Sequence, residues 1–294
     1  EPLYSTPFQR TASDWRRENP HKDRGNISGV AYPYLTVHKL NRESPVFYLL
    51  MRKMAIMTKI KELISNERLQ YLIFIGLSIG AIGLTGILYF FNALVFQPYT
   101  GGINPFVAAA FVIVLGFISV SFLLSRGWFA IYKKGSLKGS SRFLGLAVLF
   151  ASITVLIDFN VGHVGFPADM NVLFPKSLLF YPAMGFFAEI LFHVVPLTIL
   201  LISLTSILKK VSHKKIIWIC FSIIPLVEVV YQVMPMSHFP LWAIVVFSLN
   251  LFLFELSQLL IFKKYDFVSM YSFRLAYYLV WHIVWGYLRL KILF

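Results

Sequence analysis

"KSLLFYPAMGFFAEILFHVVPLTILLISLTSILKK", residues 176–210, carries one formally charged side chain between its flanking lysines, Glu189. At 1.5 Å rise per residue, a helix over this run exceeds the ~30 Å hydrocarbon thickness of a bilayer. The run is therefore a membrane span, and within it Glu189 and His193 lie one helical turn apart. Pro182 and Pro196 are expected to kink it or to mark an interfacial start.

Blocks of the same kind recur along the chain. Seven spans are expected, over residues 71–96, 103–125, 143–161, 178–208, 216–233, 241–262 and 267–290. The chain of 294 residues is 58% hydrophobic and 14% charged, with a mean hydropathy of +0.72. These features specify an all-α, polytopic transmembrane helix bundle over residues 71–294. The connections between spans are short, so any chemistry must take place within the bundle. A single cysteine, Cys220, excludes an intramolecular disulfide and a cysteine-rich metal site.

Residues 1–50 are polar and proline-containing, without sustained periodicity, and read as a poorly ordered extension. Residues 51–70, "MRKMAIMTKIKELISNERLQ", form a basic amphipathic lead-in to the first span. A natural start near Met51 or Met54 is expected. No cleavable signal peptide is visible, so the first span is expected to serve as the anchor.

The net charge of +14 is distributed by topology. The connections after spans two, four and six carry Arg126, Lys133, Lys134, Lys138 and Arg142, then Lys209, Lys210, Lys214 and Lys215, then Lys263 and Lys264. The other side carries Lys176, Arg289 and Lys291. Positive residues accumulate on the cytoplasmic side, which places the N-terminus inside and the C-terminus outside. The excess of charge is accounted for in this way, and no nucleic-acid partner is expected. The bilayer itself is the partner that composition requires.

An ionisable group at membrane depth costs roughly 2.5–3.5 kcal/mol on insertion scales, so each needs a partner or a purpose. Glu255 and Arg274 lie at matching depth on antiparallel neighbours and read as a structural ion pair. Asp158, near the outer end of its span, is expected to reach water, and Asn250 reads as helix–helix glue. The rest are harder to dismiss. Glu189 and His193 share one helix face at i,i+4, and Gly185, a turn earlier, permits close helix approach. Arg274, Tyr278, His282 and Gly286 follow at i+4 and make a polar stripe facing inward. Glu228 lies in the outer third of its span, and His238 enters the next from the outer "MPMSH" connection. Glu189, His193, Glu228, His238 and His282 are thus expected to converge on one pocket in the outer half of the membrane.

Two chemistries fit such a set. A glutamate can activate water for peptide hydrolysis while histidines orient it and stabilise the oxyanion. Alternatively Glu189, His193, His238 and His282 can ligate zinc, although no HExxH is present.

The order of "AEILFH", "MPMSH" and "HIVWG" resembles the CPBP family of CAAX-type intramembrane proteases and bacteriocin-processing proteins. That family carries EExxxR on one helix, FxxxH near a later one and HxxxN on its last core helix. The resemblance covers residues 175–294, where Glu189 matches the second glutamate, His238 the second motif's histidine and His282 the third's. Ala188, His193, Met234 and Gly286 stand where the family has Glu, Arg, Phe and Asn. The resemblance implies an intramembrane endopeptidase acting on a prenylated or leader-bearing, membrane-associated peptide. Glu189 would be its base, His238 and His282 its water-orienting and oxyanion groups, and His193 a supporting partner. The alternative is a catalytically lapsed relative that keeps the fold for immunity or partner binding. A proton-coupled carrier would call for an inverted repeat between the halves, and none is visible.

Overall fold

The structure, a computed structural model, describes residues 49, 51–53, 67–162 and 165–294. The extension at 1–50 and most of the lead-in at 51–70 lie outside the described residues. The chain divides into two compact units, Glu1–Ala55 and Ile56–Phe294. In the first, residues 49 and 51–53 are helical and exposed. The second is an all-α bundle.

Among the described residues, six helices are long and apolar enough to cross a membrane: α1 (Arg68–Phe96), α2 (Pro105–Ser125), α3 (Ser136–Val161), α4 (Ser177–Ile207), α5 (His213–Val233) and α6 (Leu241–Lys264). The seventh expected span is also a continuous helix, α7 (267–292), but it is too polar to join the six. The reason is its position. It packs on α3, α4 and α6 and buries Arg274 and Arg289 together with Phe267, Met270, Phe273, Trp281 and Trp285. Large apolar side chains instead cover the outward faces of the other helices, among them Phe90, Phe111, Leu156, Leu226 and Leu249. An apolar exterior around a polar interior is the arrangement of an integral membrane protein in contact with lipid.

Local chemistry sets the helix ends. Asn104 opens α2 by accepting a hydrogen bond from the Phe106 N–H, with Pro105 at the first helical position. Asp266 opens α7 by accepting from the Ser269 N–H, and its other oxygen accepts from the Lys133 N–H. Gln70 of α1 pairs with the backbone of Ile131 and Tyr132. These bonds tie the α2–α3 connection to α1 and α7.

α4 does not break at its prolines. Pro182 lies inside the helix, and a π-helical turn over Glu189–Val194 precedes Pro196. A proline lacks an N–H and its ring crowds the carbonyl four residues back, and the wider turn relieves that crowding. A second π-helical turn, Leu279–Trp285, interrupts α7. Such turns are uncommon and recur at functional sites. Here they hold Glu189 and His193 in one helix and His282 in the other. α4, with α1, α2, α5 and α7 all packed against it, is the best-connected helix. Close approach to α7 depends on Gly185, where a Cβ would lie 3.3 Å from the Tyr278 ring.

Asp158 does not reach water as the sequence suggests. It is wholly buried and paired with Arg289 of α7, Nε to Oδ2 at 2.9 Å, while Trp285 Nε1 donates to the same oxygen at 2.6 Å. Arg289 also donates to the carbonyls of Phe166 and Pro167, fastening the α3–α4 connection. Arg289 is thus more than the topological charge its position near the chain end suggests. Breaking a buried pair by removing one partner typically costs about 3–5 kcal/mol. Arg289→Met should therefore lower the thermal unfolding temperature in detergent sharply, and Asp158→Leu/Arg289→Met should regain much of the loss. Equal instability of the single and double variants would show that the pair does not act as a unit.

Candidate functional site

Arg274 of α7 reaches three carboxylates on three other helices. Its Nε donates to Glu189 Oε1 of α4 at 2.8 Å. Nη2 donates to Glu255 Oε2 of α6 at 3.1 Å. Glu228 of α5 receives two longer bonds, from Nη1 and Nη2, each 3.4 Å. Nη1 also donates to the Tyr278 hydroxyl at 3.2 Å. Two amides complete the ring: Gln232 donates to Glu228 Oε1 at 3.0 Å and Gln258 to Glu255 Oε2 at 2.9 Å.

His193 closes the cluster from α4. Its Nδ1 lies 2.9 Å from Glu189 Oε2 and its Nε2 lies 2.8 Å from Glu255 Oε2. Neither approach has the alignment of a hydrogen bond, so both ring nitrogens and Glu189 Oε2 are buried without one. Glu189, His193, Glu255, Arg274 and Glu228 are between 0% and 3% exposed, which excludes bulk water from every charge in the cluster. Three carboxylates face one guanidinium and one imidazole. With all three carboxylates ionised and His193 protonated, the cluster sums to −1. A group of this kind binds a proton or a cation, or activates water admitted to it.

The residues expected in one pocket therefore separate. Glu189, His193 and Glu228 meet, and Tyr278 joins them through Arg274. The expected Glu255–Arg274 pair is present as part of this larger cluster. His238 is exposed in the α5–α6 connection, with Nε2 3.3 Å from the Gly165 carbonyl. His282 lies beyond Tyr278, its Nδ1 2.7 Å from Asn171 Oδ1 and its ring stacked on Tyr181 at 4.4 Å. Neither histidine bonds to Glu189, Glu228 or Glu255, so the four-residue zinc set of Glu189, His193, His238 and His282 is not assembled. The physical reason is azimuth. Depth along a helix is readable from sequence, but which face of the bundle a side chain enters is not.

The Tyr181 hydroxyl donates to Asn171 Oδ1 at 3.2 Å and accepts from the Val172 N–H at 2.9 Å. Gly286 makes this second polar group possible, because a Cβ there would lie 3.0 Å from Asn171 Cβ. A side chain on α7 would occupy the space that Asn171 fills. Asn250 bonds to the Phe150 carbonyl and to Thr154 Oγ1, joining α6 to α3 as glue.

Sequence reasoning passed over Gln232, Gln258 and Asn171. Both glutamines had a signal, lying at i+4 and i+3 from a buried glutamate. Asn171, in a loop far along the chain from His282, had none. The fold defines a polytopic helical membrane protein with a buried charged cluster. No known family model matches the chain, no curated protein matches its sequence and no solved structure matches its fold.

Overpacking a buried contact commonly costs about 1–3 kcal/mol. Gly286→Ala should accordingly lower the unfolding temperature by several degrees, and Asn171→Gly added to it, which removes the Cβ that the new methyl meets, should restore part of the loss. An unchanged melting curve for Gly286→Ala would contradict the close fit of Asn171 against α7.

Proposed function

We propose that the protein is an intramembrane endopeptidase that cuts a membrane-associated peptide with a glutamate-activated water. The observation that carries this reading is the state of Glu189. One of its oxygens is fixed by Arg274 at 2.8 Å, while Oε2 is buried, makes no hydrogen bond and faces His193. A carboxylate oriented through one oxygen, with the other set against a histidine rather than spent in a hydrogen bond, suits a general base. Glu189 takes the proton as the water oxygen attacks the peptide carbonyl, and passes it to the leaving amine as the C–N bond breaks. His193 is its immediate partner, and positive charge from Arg274 offsets the negative charge that develops on the carbonyl oxygen in the transition state. His238 and His282, held by Gly165 and Asn171, do not take the water-orienting role in the closed form, and that role passes to His193. Water and substrate need the bundle to open.

The motif order shared with CAAX-type and bacteriocin-processing proteases supports the same class, with Glu189 standing in for the acid that Ala188 lacks. The loop charges support an N-terminus in the cytoplasm and a C-terminus outside. A second reading, a catalytically lapsed binding protein of the same fold, is favoured by Ala188 and by the closure of the cluster.

Quenched fluorescent peptides, prenylated and unprenylated, incubated with the detergent-purified chain separate the two. Wild type should cleave, and Glu189→Gln, folded by its melting curve, should lose about 100-fold or more, in the range that general-base removal commonly produces. A wild-type rate in Glu189→Gln would end the proposal. Activity confined to Ala188→Glu would identify the lapsed form.

A further inference from the structure

We propose that the buried cluster binds one divalent transition-metal ion through His193, Glu228 and Glu255. One ligand atom from each of these residues lies within 4.8 Å of the others, and since a single ion with bonds of about 2.0–2.2 Å needs its ligand atoms within about 4.4 Å of one another, small side-chain rotations bring the three onto one ion. The set spans α4, α5 and α6, and it differs from the glutamate and three histidines that the sequence suggests.

Three observations converge on it. First, His193 is wholly buried and aimed into the cluster, yet neither ring nitrogen makes a hydrogen bond. Nε2 and Glu255 Oε2 lie 2.8 Å apart without donor–acceptor alignment.

Second, the far side of His193 has the partner that a metal-bound imidazole needs. Nδ1 lies 2.9 Å from Glu189 Oε2, and Arg274 holds that glutamate through its other oxygen. A carboxylate at this distance is placed to accept from Nδ1–H once the ring turns Nε2 onto the metal, and it would then fix the tautomer.

Third, the charges balance. With His193 neutral as a ligand, the carboxylates of Glu189, Glu228 and Glu255 and the guanidinium of Arg274 sum to −2. A divalent ion brings the sum to zero in a place where net charge is expensive.

Arg274 Nη2, Gln258 Nε2 and His193 Nε2 all meet Glu255 at Oε2, which leaves Glu255 Oε1, with a 3.4 Å bond from Arg274, as its less engaged oxygen, while Gln232 holds Glu228 Oε1. Histidine nitrogen with carboxylate oxygens suits Zn²⁺ or Mn²⁺ and leaves at least one position for water. The inference concerns binding and stands whether or not the protein cleaves peptides.

The test uses the full chain in detergent, stripped with a chelator and then titrated with ZnCl₂ or MnCl₂ by calorimetry. Bound metal is counted by elemental analysis. One ion per chain is expected, weakened tenfold or more in Glu228→Gln and His193→Gln and unchanged in His213→Ala and His238→Ala, which alter exposed histidines. X-ray absorption at the zinc edge of the wild-type complex keeps the proposal falsifiable if the buried variants fail to fold, and it should show one imidazole among oxygen ligands. No stoichiometric binding, affinity lost with the exposed histidines instead, or a first shell lacking imidazole would each overturn it.

Discussion

Arg274 donates from one guanidinium to carboxylates on α4, α5 and α6, and the interior of the bundle is organised around that connection. A planar group with five donors in a fixed fork can serve more acceptors, in set directions, than the three-donor ammonium of a lysine. Glu189 takes the short, well-aligned bond, and Glu228 takes the long ones. The ring faces of Phe254 and Tyr278, each 5.7 Å from the guanidinium carbon, enclose it on the remaining sides. Within lipid there is little hydrophobic drive to bring helices together, so polar contacts of this kind specify which helices meet and in what register.

The arrangement has two tiers. The charged cluster joins α4, α5, α6 and α7, and the Asp158–Arg289 pair joins α3 to α7 at another level. Between them lie Tyr278, Tyr181 and His282, packed ring against ring, with Asn171 entering from the α3–α4 connection. α7 takes part in every tier, which explains why the helix least apolar in sequence turns its charged side chains, Arg274 and Arg289, inward. The two π-helical turns lie in α4 and α7, where the polar groups are densest.

Much of this was legible in the sequence. Apolar blocks gave the number and order of the helices, because a bilayer demands a minimum length of apolar chain. The pair Glu189 and His193 stood out because an ionisable group within such a block is costly. Depth counted along the helices matched Glu255 with Arg274. What could not be read was azimuth. His282 and Arg274 share one helix stripe, but the π-helical turn and the approach of Asn171 give them different surroundings. Asp158 looked close enough to the boundary to reach water, and only the packing of α3 on α7 shows Arg289 waiting for it. Asn171 is the clearest case, since its contact with His282 spans 111 residues of chain and leaves no local trace.

If Arg274 organises the interior, its contribution cannot be separated from that of the carboxylates it holds. A double-mutant cycle between Glu189 and Arg274 tests this most directly, with unfolding free energies measured in detergent for wild type, Glu189→Gln, Arg274→Gln and the double variant. Residues joined in one buried network show coupling of about 0.5–3 kcal/mol, and a value near the upper end is predicted here, with the second substitution costing little once the first is made. Strictly additive losses would mean that the two side chains stabilise the bundle independently, and the account of Arg274 as its organising contact would fail.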